Sequence, residues 1–542
     1  MMHAGALLDF PTGDLIAEQG VSPLAYVSTV ESTRGGVSSP STNGSGTSSF
    51  GTLPFPLTTA EFQHPISNSE VGDQAMGLPF LDSNPGAPVT LHLDFTGNFE
   101  TSWFNSKGDF PRNGSKVETP SFSTDSNHTS FSASEQALIK EIWARVAEDF
   151  APFNINVTTH YYGTYADGKA LKVAIGGHDS DWYREWMTDF NETSGTSNFK
   201  SFTTSAASNV VFVFSDNIFS WSLSGKIDGD GRSINFAAAT ATTASHEAGH
   251  AFGLTHNSIY LSNYDGKTLD SNGNLVGKIE YDPGTPLWSP IMGNSLISDR
   301  TTWANAPAHG GPHVLQDDMA ILAGLFGYRA DDHGDTLATA SAMTAPSHSL
   351  QPWTGKGIIG KSNDHDWFRF TSSGGQIEVR VNPDQYGANL IPVAELWSDK
   401  GFVAKATSGG LNSSNIKANV AAGTYYVKVK GFGDYGDVGQ FTVTVSHQPV
   451  IMQSGSVTSV TSGTLTKKTT LISGTTATYT ASTNGAGPSE SATRPRIDTA
   501  SAMSALKSVK PQPAALKVDW SLRALDAAFA EFGLAPRMGR GF

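Results

Sequence analysis

The sequence predicts a multidomain protein, an α/β (α+β) domain followed by an antiparallel β-sandwich, and three observations carry that expectation. Between Val89 and Phe214 short β-rich runs alternate with one long amphipathic helix, after which a histidine-bearing helical run begins. Beyond Asp331 the pattern changes to short alternating strands separated by turn residues. Both ends of the chain are rich in Ser, Thr and Gly and show little periodicity. These changes divide the chain into a low-complexity N-terminal segment (residues 1–85), an α/β domain (86–330), a β-sandwich (331–446), a Ser/Thr/Gly-rich linker (447–513) and a short amphipathic helix and tail (514–542).

Order is expected to begin near Val89, because VTLHLDF alternates as a strand should and ends at the turn Thr96-Gly97-Asn98. Ser132 and Glu135 have the spacing of a capping box. After them Ile139, Ile142, Trp143, Val146 and Phe150 recur at helical spacing until Pro152 stops the run. INVTT (155–159), LKVAIG (171–176) and VVFVF (210–214) read as further strands. DDMAILAGLFGY (317–328), acidic at its start and apolar beyond, predicts the helix that closes this domain. In the following domain QIEVRV, TYYVKV and FTVTV are the strand signals. The composition break near Tyr328–Asp331 predicts that residues 86–330 fold and act without the C-terminal half. At the far end Leu522, Leu525, Phe529 and Phe532 form an apolar helical stripe stopped by Gly533.

The chemistry is concentrated in HEAGHAFGLTH, from His246 to His256. On a helix His246 and His250 lie a turn apart on one face, so both imidazoles can reach a single ion. Glu247 is placed to take a proton from metal-bound water without itself being a ligand. Gly253 permits the left-handed backbone that stops the helix, and His256 can then supply a third ligand. Three imidazoles and a water make the open, catalytic form of a zinc site.

On these residues the chain resembles the metzincin zinc peptidases, whose signature is H-E-x-x-H-x-x-G-x-x-H followed by a Met-containing turn. SPIMG supplies that turn, and the resemblance implies that Met292 forms an apolar floor beneath the histidines. It also implies a twisted mixed sheet backed by two helices, one of them carrying the zinc motif. Taken together, the LDF strand, IWARVAEDFAPFNINVTT and VAIGG look like a bacterial exported type of metzincin. DDHGDTLATA (331–340), DHDWFRF (364–370) and AGTYYVKVKGFG (422–433) look like a bacterial pre-peptidase C-terminal domain. The function so implied is zinc-dependent endopeptidase activity on protein or peptide substrates, with Glu247 as general base. Asn257 follows the third histidine where many subfamilies carry a diagnostic residue, and Asn294 stands where some carry a tyrosine ligand, so no Tyr ligand is expected. The rival is a surface or matrix-binding protein with a non-catalytic zinc site, against which the intact Glu247 argues. Calcium is a further candidate ion, at DGDG (228–231), at DSNGN (270–274), and at Asp332, Asp335, Asp364 and Asp366.

Composition narrows the partners. The net charge of −15 over 542 residues works against a phosphate backbone or an anionic membrane surface, so nucleic acid is not an expected partner. No apolar stretch approaches the roughly 18 residues of a membrane span. The low charged fraction, 16%, and the absence of cysteine suit a secreted or cell-surface protein without disulfides. Any latency must then use a ligand other than a cysteine thiolate; residues 1–85 read as a mostly disordered, linker-like segment, and the functional alternative is a pro-segment covering the cleft, with His64 and Glu61 as candidate ligands. Residues 1–20 contain no Lys or Arg and do not read as a secretory signal. Oligomeric state and cleavage specificity are not encoded in any readable motif.

Overall fold

The computed structural model describes residues 68–447, except 102, 106–107, 111–116, 185–191, 206, 225–232, 270–273 and 349–350, and further on residues 465–470 and 476–481. The chain falls into two units, residues 1–453 and 454–542. DGDG, most of DSNGN, His64, Glu61 and the C-terminal stripe lie outside the described residues.

The first unit starts earlier than its composition suggested. Helix α1 spans Asn68–Met76. After it Leu78 and Leu81 are buried in the core, and the Thr159 hydroxyl bonds both the Leu81 N–H and the Pro79 carbonyl. Residues 68–85 therefore do not belong with a featureless N-terminal segment. Two leucines three residues apart and flanked by Gly and Pro are too few to register as periodicity.

The central sheet contains β1 (Val89–Asp94), β2 (Ile155–Thr158), β3 (Ala170–Ile175), β4 (Gly195–Thr196) and β5 (Val210–Val213), in the order β2-β1-β3-β5-β4. The first four in that order pair in parallel, with Val89 opposite Ile155, Leu91 opposite Leu171 and Val173 opposite Val211. Edge strand β4 runs antiparallel, Gly195 opposite Val213. Their residues are buried almost without interruption, polar ones included, as in a sheet covered on both faces. Helix α2 (Ala133–Asp149) has the expected capping box at Ser132 and Glu135 and buries Ile139, Ile142, Val146 and Phe150. It packs along α4 (Phe236–Ala251), and the rings of Phe150 and Phe252 meet edge to face at 6.0 Å. Helix α3 (Ser215–Leu223) lies between β5 and α4, two short antiparallel pairs follow α4, β6 (Ile259–Tyr260) with β7 (Lys278–Ile279) and β8 (Asn305–Ala308) with β9 (Gly311–Asp317), and helix α5 (Asp318–Phe326), capped by Asp317, closes this half.

The second half is one hydrogen-bonded sheet, not the two separate sheets of a simple sandwich. Its strands are β10 (Ser341–Ala342), β11 (Trp353–Ile359), β12 (Asp366–Pro383), β13 (Val393–Ser398), β14 (Gly401–Thr407), β15 (Ser414–Lys430) and β16 (Gly439–His447). The order is β11-β16-β12-β15-β13-β14, antiparallel throughout, with β10 added in parallel to the start of β12. The 18 residues of β12 let it pair along its length with β15 while it meets β10 first and β16 last. Inward Phe368, Phe370, Ile377, Val379 and Val381 alternate with outward Arg369, Thr371 and Arg380.

These two halves share one continuous apolar core, from Leu78 through Val445. Polar groups are also sealed between them. Glu148 is fully buried and accepts from the Gln440 main-chain N–H and side-chain amide. Asp149 accepts from Asn389 Nδ2 at 2.9 Å, and Arg300 reaches the Asn389 carbonyl and Asp437. In the second unit the described residues form one antiparallel hairpin, Leu465–Thr470 with Thr476–Ala481, where a structureless linker was expected; its β-branched threonines favour the extended chain.

Candidate metal centre

Helix α4 is made to be enclosed. Its sequence FAAATATTASHEAGHA offers mostly small side chains, so sheet and α2 approach closely, and residues Ala239–Ala251 are all buried. Asn235 caps its start by accepting from the Ala238 N–H at 3.0 Å. At its end Gly253 sits at φ +99°, the Gly253 N–H bonds the His250 carbonyl and the Leu254 N–H bonds the Gly249 carbonyl. That pair of bonds is a Schellman termination, and it sends the chain back so that His256 faces the helix.

The three histidines converge. His250 Nε2 lies 3.1 Å from His246 Nε2 and 3.0 Å from His256 Nε2. Ligands about 2.0–2.1 Å from a tetrahedral ion sit roughly 3.3 Å from one another, so the spacing fits a single metal. Each ring is turned by what its other nitrogen touches. His246 Nδ1 lies 2.8 Å from the Ile291 carbonyl, His250 Nδ1 lies 2.8 Å from the Leu254 carbonyl, and His256 Nδ1 lies 3.1 Å from Glu280 Oε1. All three acceptors hold a proton at Nδ1 and leave the Nε2 lone pairs directed at the shared point. The donor set therefore suits zinc.

Glu247, one residue after the first of these ligands, is 3% exposed and lies against edge strand β4. A Cβ on Gly195 would come within 2.7 Å of its Oε1, so glycine there is what lets the carboxylate sit beside the strand. Met292 is fully buried, and a Cβ on Gly249 would fall 2.5 Å from its Sδ. The sulfur thus underlies α4 between the two helical histidines. Its loop is tied in by the Asn257 N–H, which bonds the Met292 carbonyl, and by the Asn294 N–H on the Asp282 carbonyl.

Two neighbours of the centre had no sequence signal. Tyr281 places its ring 4.0 Å from that of His256 and 6.2 Å from that of His246. Glu280 lies between His256 and Lys278; burial opposes its charge, but bonds to His256 and Lys278 prevail and hold its carboxyl at about 2. Both follow directly after a strand of two residues, Lys278–Ile279, paired with Ile259–Tyr260, which is too short to register as alternation. Behind α4, the Ser245 hydroxyl donates to Asp149 Oδ2 at 2.6 Å. Burial pushes the Asp149 carboxyl up to about 7 against its bonds to Ser245 and Asn389.

A second set of carboxylates gathers where the two halves of the first unit join. Asp331, Asp335 and Asp364 form one group whose ligand atoms lie within 4.8 Å of one another, and Asp332, His333 and Asp366 form another. The four aspartates singled out in the sequence divide between these groups, Asp335 and Asp364 joining Asp331 in the first, and Asp332 and Asp366 joining His333 in the second. His333 has both ring nitrogens engaged, with Ser341 Oγ at 2.8 Å and the Lys356 carbonyl at 2.6 Å. Asp366 is fully buried with neither oxygen hydrogen-bonded; desolvation first, then the neighbouring aspartates, push it up to about 10.

No family profile and no curated protein sequence matches the chain. Among solved structures, the pre-peptidase C-terminal domain of a collagenase from Bacillus anthracis is similar at 22% identity over 19% of this chain and 99% of that one, with a TM-score of 0.16. A periplasmic inhibitor of g-type lysozyme from Aeromonas hydrophila is similar at 14% identity over 20% of this chain and 96% of that one, TM-score 0.17. A mitogen from Yersinia pseudotuberculosis is similar at 12% identity over 20% of this chain and 97% of that one, TM-score 0.15. Among the described residues no helix is long and apolar enough to cross a membrane.

Proposed function

We propose that the protein is a zinc-dependent endopeptidase of metzincin type that works on protein substrates outside the cell. The observation that carries this reading is the convergence of His246, His250 and His256 Nε2 with the buried carboxylate of Glu247 one residue from the first of them. Zinc held there would polarise the scissile carbonyl and make a bound water acidic near neutral pH. Glu247 takes the proton from the attacking water and returns it to the leaving amine. Edge strand β4 runs past Glu247 and borders the centre. Met292 lies beneath the helical histidines, and their Nδ1 contacts with the Ile291 and Leu254 carbonyls keep the rings from turning away. A role for Glu247 in a purely structural zinc site is hard to supply, which sets this reading above that of a binding protein.

The aspartate cluster at 331–366 fits calcium as a second, structural ion. Hard oxygen ligands suit it, and a cation there supplies what the buried Asp366 lacks. The direct test of the main reading is metal analysis with proteolysis on one preparation. About one zinc per chain and casein cleavage that a chelator abolishes and zinc restores support it. A zinc-free protein that cleaves equally well contradicts it.

A further inference from the structure

We propose that Glu280, braced by Lys278, is a positioning residue that sets the affinity of the centre through His256. This rests on the reading of the three histidines as metal ligands. It deepens that reading by naming what makes the third ligand different from the other two.

The difference is in the acceptors. His246 and His250 direct Nδ1 at main-chain carbonyls, Ile291 and Leu254, each at 2.8 Å. The Nδ1 of His256 instead faces a carboxylate, at 3.1 Å. A charged acceptor fixes the tautomer more strongly than a neutral one and makes the opposite nitrogen a better donor to a cation. His256 is also the ligand that most needs fixing. The other two are built into a helix, whereas His256 lies beyond its end, on chain that has already turned back at Gly253.

Glu280 is itself held in place. Its second oxygen pairs with Lys278 Nζ, and that lysine side chain is only 6% exposed, so the ammonium is enclosed with the carboxylate. Lys278 opens strand β7 and Glu280 follows directly after Ile279, which keeps the ammonium and the carboxylate within reach of each other. The strand is pinned to the segment after His256 by Ile259 opposite Ile279 and Tyr260 opposite Lys278. The Ser258 hydroxyl adds a bond to the Glu280 carbonyl at 2.8 Å. The ring of Tyr281 covers His256 on one side. Main chain, cation and aromatic ring thus all converge on the orientation of one imidazole.

The test compares the zinc affinity of Glu280→Gln and Glu280→Ala with that of the parent by competition against a chelating dye, with thermal unfolding of the metal-free proteins alongside. Glu280→Gln keeps an acceptor oxygen for Nδ1 but loses the charge, so affinity is expected to fall about 10-fold; Glu280→Ala loses both, and the fall is expected to approach about 100-fold. Unfolding of the metal-free variants is expected to come earlier than in the parent, because the enclosed Lys278 ammonium loses its carboxylate, so zinc affinity is compared on protein that is still folded. Parental zinc affinity in a folded Glu280→Ala protein overturns the proposal. Should that variant not fold, parental affinity in Glu280→Gln overturns it equally. A parent that takes up no zinc removes the metal reading itself, and this proposal with it.

Discussion

Asp149 gives the seam behind helix α4 a definite pH dependence. Its carboxyl is sealed between Ser245, one residue before the first histidine, and Asn389 of the second half, and burial raises it from an ordinary 3.8 to about 7. A raised carboxyl means that the folded state holds the proton more tightly than the unfolded one. The stabilisation is therefore complete below about pH 4 and is lost as pH rises through about 7. One group with these two values contributes roughly 2 kcal/mol less at pH 7 than at pH 5. Asp149→Asn removes the titration while keeping the contacts, since an amide can accept from Asn389 and donate to the Ser245 hydroxyl. Glu148 and Asp318 are also raised by burial, but they are present in both proteins and cancel in the difference. Urea unfolding of metal-free parent and variant at pH 5, 6 and 7 should show the variant gaining on the parent by roughly 2 kcal/mol across that range. A difference that stays flat with pH refutes the assignment.

The remaining predictions concern the seam, the second ion and the helix stop. Because the apolar core runs unbroken from Leu78 to Val445, residues 86–330 expressed alone should be insoluble or lack a cooperative transition, whereas 68–447 should melt cooperatively. This reverses the independence suggested by the composition break, and a well-folded 86–330 fragment would restore it. Calcium should raise the melting temperature of the parent and have no such effect on Asp366→Asn, as read by calorimetry with and without a chelator. Gly253→Ala places a Cβ at φ +99° and 3.2 Å from the Lys200 side chain, so it should cost about 1–2 kcal/mol and weaken zinc binding through His256. Unchanged stability and affinity would show that the turn is not what delivers that ligand.

What could be read in the sequence was what depends on near neighbours along the chain. The capping box at Ser132 and Glu135, the strands at Val89 and Val210 and the glycine that ends α4 all follow from spacings of a few residues. The convergence of the three histidines is of the same kind, because helix pitch and one turn determine it. Groups that meet across the fold gave no such signal. Glu148 and Asp149 read as the ordinary polar end of a helix, and only contact with Asn389 and Gln440, some 240 and 292 residues later, makes them buried. Glu280 stands 24 residues beyond His256, just after a strand of minimal length, with nothing in its own neighbours to mark it. The early start of order at α1 was hidden for a related reason: Leu78 and Leu81 are too few to show a period, yet enough to bury.

The central claim is that Glu247 moves protons and does not bind the metal. The measurement is zinc content and peptide hydrolysis on the same preparations of parent and Glu247→Gln, with His250→Ala beside them as the ligand control. Glu247→Gln should retain the parental zinc content and lose at least about 10²-fold in turnover, while His250→Ala loses zinc and activity together. Parental turnover in a zinc-loaded Glu247→Gln protein contradicts the account.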